Sequence, residues 1–322
     1  MAMMKIYADG IAYPITDAKN WSVTSVADGD KRMSFDISPE ANGYSHIEED
    51  ALIRYDNTNY RVRTINERGQ MSTVTAEIDL DDLRVDMFLT FTTETQTLSS
   101  TLATALSGTG WTVSGADTIT SRRSLELTDV TPLEIIKNCS YKTNYNVSFA
   151  FDNINRAITV QSPAVSADNV FFSDELNLRS LTFKGSSEKL VTRLYAYGSE
   201  GLSFADINDG KPYIDNQIYT DRVISQVWRD ERFTDKQSLL AAAWEKLNEL
   251  ARPERSYICD VFDLARLDPM KYGNYTVRLG SVIILVDRRR KKRYEYYVAE
   301  TKLYPDEPQS NTFTLSSTPH RL

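Results

Sequence analysis

The sequence predicts a mainly β protein with α+β insertions, in which two small β-barrel domains accompany an α/β insertion and a helix-containing domain. Three observations support this fold class. Short runs of alternating apolar and polar residues occupy residues 6–89 and return after residue 254. Helical patterns replace them in the middle of the chain. A chain of 322 residues is also too long for one hydrophobic core.

The first segment is predicted to form an antiparallel barrel or sandwich. Turn residues separate its alternating runs, which include WSVTSV, MSFDIS, ALIRY, YRVRTI and STVTAEIDL. Alternation at every second residue directs one face of each strand to the core and the other to solvent.

A change of periodicity after residue 91 predicts a small α/β unit inserted in this β framework. A second helix is expected after Thr131, its N-cap, with Pro132 at the first helical position. The run NVSFAFDNINRAITVQS then predicts a hairpin that turns at residues 152–155. The first helix should place four apolar residues on one face before glycines end it: Leu98, Leu102, Ala105 and Leu106.

A longer helix is predicted from Thr234 to Ala251, directly before Pro253. The Thr234 hydroxyl is its expected cap, because it can accept a hydrogen bond from the amide of Gln237. The strand patterns that follow are long enough for a second small barrel. The helix should bury an apolar stripe: Leu240, Trp244, Leu247 and Ala251.

The composition is that of ordinary globular proteins, with 41% hydrophobic and 25% charged residues, so the chain should fold. No apolar run approaches the roughly 18 residues of a membrane span. The stretch MAMMKIYADGIAY lacks the apolar core of a signal peptide, so we expect synthesis in the cytoplasm without export. Cys139 and Cys259 have no metal-type spacing and are expected in the core, and no metal or cofactor is predicted.

Known catalytic motifs are missing from the sequence. The chain has two histidines, His46 and His320, and no HExxH, GxSxG, P-loop or GxGxxG motif. Paired carboxylates can serve acid–base chemistry or bind a hard cation, and the densest acidic group is Glu77, Asp79, Asp81, Asp82 and Asp86. Alternation places the first three opposite Ile78 and Leu80, which favours a solvated strand face over a site.

One basic run contrasts with the formal net charge of -8. It lies in VDRRRKKRYEYY between two apolar or alternating runs, which predicts the tip of a β-hairpin. Such a tip could bind phosphates, but no basic stripe or recognised nucleic-acid module accompanies it. A solvated loop, or one that docks on an acidic neighbour, is favoured. The candidate protein-contact residues are Arg288, Arg289, Arg290, Lys291, Lys292 and Arg293.

The order of the later segments resembles a known family. These segments are TRLYAYGSEGLSF, PYIDNQIYTDRVISQVWRDERFTD, LLAAAWEKLNELARPERSYICDVFDLA, LGSVIILVD and YYVAETKLYPDEPQSNTFTLSS, in that order. Together they are similar to the N-terminal region of the siphophage tail-associated protein family. That family is also called prophage endopeptidase tail or phage minor structural protein, and its wider fold group includes baseplate hub proteins.

The resemblance implies a baseplate-hub-like organisation with four parts. Residues 1–92 and 166–200 would form the first β-barrel, residues 93–165 the α/β insertion, residues 201–253 a helix-containing connecting domain, and residues 254–322 the second β-barrel. The implied location is the virion tail tip, where a homotrimeric ring joins the six-fold tail tube and distal tail protein to the tip. The ring would gate the passage of tape-measure protein and DNA, without binding DNA specifically.

Hydrolase activity is not carried over from the resemblance, because the chain ends at Leu322, near the end of the shared region. We therefore expect a structural protein and not an enzyme. Two alternatives stay open at this point. A cell-wall endopeptidase would use His46 or the 77–86 carboxylates, and a nucleic-acid-binding protein would use residues 288–293.

Overall fold

The computed structural model describes residues 3–26, 29–140, 145, 147–161 and 167–316, with the backbone alone for residues 167–169. The helices within these ranges are α1 (Leu98–Ala105), α2 (Pro132–Asn138), α3 (Lys236–Leu250), α4 (Leu264–Leu267) and α5 (Pro269–Tyr272). The strands are β1 (Lys5–Ala8), β2 (Ile11–Pro14), β3 (Lys19–Val26), β4 (Lys31–Ile37), β5 (Leu52–Tyr55), β6 (Thr58–Arg68), β7 (Met71–Ile78), β8 (Phe88–Thr97), β9 (Thr112–Ser114), β10 (Arg122–Val130), β11 (Ser148–Asp152), β12 (Ala157–Gln161), β13 (Ala167–Phe172), β14 (Leu178–Ser186), β15 (Arg193–Tyr197), β16 (Tyr213–Asp215), β17 (Ser225–Arg229), β18 (Glu254–Val261), β19 (Val282–Asp287), β20 (Lys292–Leu303) and β21 (Thr312–Ser316).

The mainly β prediction is confirmed, and most strands belong to one sheet. This sheet has the order β14-β18-β21-β20-β3-β4-β7-β6-β5-β1-β2, and β19 joins β20 and β13. Strand β20 pairs with β19 through its first six residues and with β3 through its last four. Over the described residues the sheet stays open, so closure of the two barrels remains a prediction. No helix in this part of the chain has the length and apolar character needed to cross a membrane.

Strands β1–β7 form what we call the first β module. Its core follows the alternation of the sequence: Met33, Phe35 and Ile37 on β4 are buried, and the residues between them are partly exposed. Trp21 packs edge-on against Tyr55, with 4.7 Å between ring centroids. The module therefore has its own hydrophobic core, as the first segment of the sequence predicts.

Strands β13 and β18–β21 form the second β module, around a separate core. The resemblance implies that residues 166–200 belong to the first barrel, whereas β13 (Ala167–Phe172) pairs in parallel with β19 of the second module. Phe172 on β13 is buried, and its ring packs against that of Phe313, with 5.6 Å between the ring centroids. Alternation identifies a strand but does not identify its partner, because the partner lies far away in the chain.

The α/β insertion packs around a third core, which includes the apolar faces of α1 and α2. The predicted face of the first helix is confirmed, since Leu98, Leu102, Ala105 and Leu106 are all buried. Helix α2 begins as predicted, with Thr131 as N-cap and Pro132 following it. Glu134 completes a capping box with Thr131, and these hydrogen bonds from Thr131 lower the pKa of Glu134.

The chain divides into two compact units, Met1–Thr182 with Tyr257–Leu322, and Phe183–Ser256. The second unit consists of the three-stranded sheet β16-β15-β17 and helix α3, which covers one sheet face. The prediction for α3 was wrong by one residue. Asp235 is the N-cap, because its carboxylate accepts a hydrogen bond from Ser238 N at 2.8 Å. Of the predicted apolar stripe, Leu247 and Ala251 are buried as expected, whereas Trp244 is 41% exposed. Leu239 and Ala243 complete the buried face of the helix.

Within the first unit, three contacts attach the insertion to the first β module. Asn153 side-chain Nδ2 donates to the carbonyls of Asn59 and Asp79, both at 2.8 Å, and its Oδ1 accepts from Asn59 N at 3.1 Å. Lys137 Nζ forms an ion pair of 2.8 Å with Asp30. Gly29 has a φ of +91°, and a Cβ there would lie 2.5 Å from the Phe149 carbonyl oxygen.

We predict that Asn153→Ala loosens the insertion from the first β module. The substitution leaves one backbone N–H and two carbonyls without these partners, which should lower the free energy of unfolding by about 1–3 kcal/mol. Urea unfolding measures the loss, and amide exchange in residues 152–156 should become faster. Asn66→Ala, at an exposed position of β6, is the matched control. Equal stability of both variants and the wild type would contradict the role of Asn153.

Candidate protein-contact site

The acidic group singled out in the sequence is held by arginines that the sequence analysis did not connect with it. Asp86, the last residue of this acidic group, is exposed and is not held by one of these arginines. The hydrogen bonds that the Arg63 guanidinium donates to Asp81 raise the pKa of Arg63. The ion pairs are Glu77–Arg32 at 2.7 Å, Asp79–Arg61 at 2.8 Å, Asp81–Arg63 at 2.7 Å and Asp82–Arg156 at 3.1 Å.

Two of these pairs, Asp79–Arg61 and Asp82–Arg156, line a polar cleft of about 610 Å³ in the first unit, together with Asp81. Its lining carries three arginines and three aspartates, so its charges balance: Arg54, Arg61, Arg156, Asp79, Asp81 and Asp82. Carboxylates that already bind guanidinium groups are poor acid–base catalysts and poor ligands for a hard cation. Among the described residues, no group of three or more His, Cys, Asp or Glu could hold a metal ion.

The remaining candidate catalytic residues do not form a site in the described structure. The His46 ring stacks on Tyr13, with 3.9 Å between centroids and 25° between ring planes. His320 lies outside the described residues. Cys139 and Cys259 are buried as predicted. Burial raises the pKa of the Cys139 thiol to about 12 and also raises that of Cys259, so both are protonated core residues.

The basic run lies at the tip of the β19–β20 hairpin, where the sequence places it. We call residues 288–293 the basic tip, and all six are exposed. The antiparallel pair Asp287 and Lys292 closes the turn, and Lys291 N donates to the carbonyl of Arg288 at 3.2 Å. A rigid two-stranded base thus presents the charged residues to solvent.

Asp287 organises this turn from a buried position. Its carboxylate accepts hydrogen bonds from the backbone N of Arg290 at 3.0 Å and from Arg290 Nη1 at 2.9 Å. Burial would raise the pKa of Asp287, but the hydrogen bonds and charge of Arg290 outweigh burial and lower it. Arg290 therefore serves the turn itself.

Arg288 is also held within the first unit. Its guanidinium forms ion pairs with Asp174 at 3.2 Å and with Glu175, in the turn that follows β13. These acidic partners lie more than a hundred residues before Arg288, and local sequence patterns gave no signal for them. For Arg289, Lys291, Lys292 and Arg293 no ion pair is found with any described residue. These four side chains carry the available charge of the basic tip.

Lys291 adopts a backbone conformation that does not suit lysine. Its φ is +51°, in the left-handed region, where a residue with a Cβ costs about 1–2 kcal/mol and glycine does not. Seven of the ten described non-glycine residues with positive φ are Asp or Asn, which tolerate this region. A lysine at such a position of an exposed turn favours a role for its charge over a role in folding.

Two models of one protein family match the two ends of the chain. The model of the prophage endopeptidase tail N-terminal domain matches residues 5–80, and the model of the prophage endopeptidase tail matches residues 166–322. Together these matches cover more than two thirds of the chain. No curated protein sequence matches the chain significantly.

Solved structures of tail proteins share the fold over nearly their whole length. The prophage tail protein gp18 of Listeria monocytogenes has a TM-score of 0.70 and 14% identity, with 99% of this chain and 95% of that chain covered. The 43 kDa tail protein of prophage MuSo2 from Shewanella oneidensis has a TM-score of 0.67 and 12% identity, with 99% of both chains covered. A tail protein from Neisseria meningitidis has a TM-score of 0.64 and 6% identity, with 98% and 96% covered. The chain belongs to the prophage endopeptidase tail family.

Proposed function

We propose that this chain is a structural hub protein at the tip of a phage tail. Three copies would form a ring that joins the six-fold tail tube and its distal tail protein to the tip. The observation that carries the proposal is the presence of two β modules, each with its own core, in one continuous sheet. The family match and the tail-protein fold support a place in the tail.

Two β modules per chain offer a physical solution to a mismatch of symmetry. Three chains with two modules each present six related faces, and such a ring can meet a six-fold tube on one side and three-fold parts on the other. Closed cyclic rings bury the same surfaces on every copy. In this proposal the modules act as the two barrels, completed in the assembled ring.

The ring would open for tape-measure protein and DNA during ejection. A formal net charge of -8 suits such a channel, because a strongly positive lining would retain the phosphates. Within this total, the second unit is close to neutral, with eleven Lys and Arg residues against twelve Asp and Glu. In this proposal, DNA passes through the ring and is not bound as a specific ligand.

We predict that the purified chain does not cleave peptidoglycan. The carboxylates that could support hydrolysis, except Asp86, are paired with arginines, and His46 is stacked on Tyr13. Incubation with purified cell walls should release no soluble peptide or sugar above a buffer control. If fragments appear and disappear again in the Asp79→Asn and Asp82→Asn variants, the protein is an enzyme and the structural proposal fails.

We predict that the chain forms trimers. One chain has a mass of 36.6 kDa, so light scattering should give about three times this mass. The concentration series should extend to about 100 µM, since transient ring contacts can have dissociation constants in the micromolar range. A mass that stays at one chain over the whole series, or that settles at two, would contradict the ring.

The basic tip is proposed to contact an acidic surface of the distal tail protein. Arg288 and Arg290 are occupied within the chain, and the other four side chains project from a rigid turn. Charge pairs at a solvent-exposed rim act over about 8 Å at physiological salt and mainly speed and orient association. This charge arrangement fits a docking contact better than a channel lining.

We predict that replacing Arg289, Lys291, Lys292 and Arg293 by Ser weakens binding to the distal tail protein at least about tenfold at low salt, because each exposed charge pair contributes up to about 1 kcal/mol. The difference should shrink as salt rises. Arg288 and Arg290 stay unchanged, so the turn is preserved. The control removes the same charge elsewhere, with Lys5, Lys19, Arg68 and Lys211 replaced by Ser. Equal affinities of variant and wild type across the salt series would reject the contact.

A further inference from the structure

The second unit has an open sheet face with the chemistry of a protein interface. Leu194 and Ala196 on β15 are buried under α3, so the alternate residues of β15 point to the opposite face. The register of β15 with β16 and β17 brings side chains of all three strands together there. We call this surface the tyrosine face: Arg193, Tyr195, Tyr197, Tyr213, Val227 and Arg229.

The tyrosine face is ordered before any partner binds. Arg193 stacks over Tyr213 at 4.0 Å from the ring centroid and forms two hydrogen bonds with Asp215, at 2.7 and 2.8 Å. The rings of Tyr195 and Tyr213 are 5.1 Å apart. Such packing fixes the tyrosine side chains, so little conformational entropy is lost when a partner covers them.

The tyrosine face also keeps one cation available. Arg229 lies over the ring of Tyr197 at 4.8 Å and is exposed, and no ion pair is found for it among the described residues. Val227, which is 53% exposed, lies beside Tyr195 in the register of the sheet. Tyrosine and arginine are the residue types most enriched among the energetically dominant residues of protein interfaces.

A second surface of the same unit is an ordered loop with exposed apolar residues. We call residues 216–224, which connect β16 to β17, the crossover loop. Buried Thr192 fixes it: the Thr192 carbonyl accepts from Asn216 N at 2.8 Å, and the Thr192 hydroxyl donates to the Arg222 carbonyl at 2.7 Å and accepts from Ile224 N at 2.8 Å. Ile218 is 79% exposed and Val223 53%.

An apolar patch on a fixed loop is costly to leave in water and marks an interaction site. The crossover loop also carries Asp221, an exposed acidic residue for which the described structure shows no ion pair. The loop thus offers apolar side chains and the carboxylate of Asp221, next to the exposed guanidinium of Arg222. The tyrosine face offers aromatic side chains and one positive charge, that of Arg229.

We propose that the crossover loop of one copy of this chain docks on the tyrosine face of a second copy. The loop projects at the end of the sheet and the face lies on its side, so the contact joins two different surfaces. Contacts of this kind do not form a two-fold dimer, and they close into a ring when the rotation between successive copies allows closure. The inference rests on the proposed trimer and names its contact. Balanced charge in this unit disfavours a nucleic acid as the occupant.

Substitutions in exposed residues test the contact without disturbing the cores. The double variant Ile218→Asp, Val223→Asp should raise the dissociation constant of the trimer at least about thirtyfold, measured by sedimentation over a concentration series. Ile207→Asp is the matched control. It is 45% exposed, in the same unit, and lies in the β15–β16 connection at the other end of the sheet. This control should assemble as the wild type does, and circular dichroism should show that all variants are folded.

A charge exchange tests whether these two surfaces meet each other. Asp221→Arg and Arg229→Asp should each weaken the trimer, and the combined variant should recover most of the lost affinity. Trimers of wild-type affinity in the Ile218, Val223 double variant would overturn the contact and leave the proposed function intact. A combined exchange no better than the single variants would overturn the pairing of loop and face. A wild-type chain that stays monomeric up to about 100 µM would overturn the ring and this contact together.

Discussion

The antiparallel pairing of β3 with β20 is the interaction on which the architecture of the first unit depends. It joins residues 23–26 to residues 300–303, near opposite ends of the chain, and so connects the two β modules in one sheet. Trp21 Nε1 also donates a hydrogen bond to Asp306 beside this junction. Without the pairing, the backbones of the two modules would be linked only through the intervening chain.

In the proposed ring, this junction would let one polypeptide present two related faces to a tail tube. The register of β3 against β20 is fixed along the ladder, and this pairing holds the two modules together. The insertion is attached to the first module by Asn153, Lys137 and Gly29. Charged groups that could have formed a catalytic site are instead used in ion pairs along β6, β7 and the following turn.

Local patterns in the sequence predicted local structure well. Alternation identified the strands, Thr131 and Pro132 located the start of α2, and the charged run was placed at a hairpin tip. The predictions that failed concern contacts between residues far apart in the chain, or a choice between two neighbouring residues that suit the same position. The partner of β13 is set by packing across the chain, and Asp235 caps α3 although the adjacent Thr234 is chemically suitable. The arginines that pair with the acidic group come from other strands and turns: Arg61 and Arg63 from the neighbouring strand β6, Arg32 from β4 and Arg156 from the insertion, and the spacing of residues does not reveal these pairs.

In the proposed assembly, three copies of this chain place six β modules around the tail axis. Cryo-electron microscopy of the intact tail tip tests it most directly. The account predicts one ring of three chains, with the β3–β20 junction repeated every 120° and a β module every 60°. A density for six chains in the ring, for a single chain, or for a position away from the tail axis would contradict it.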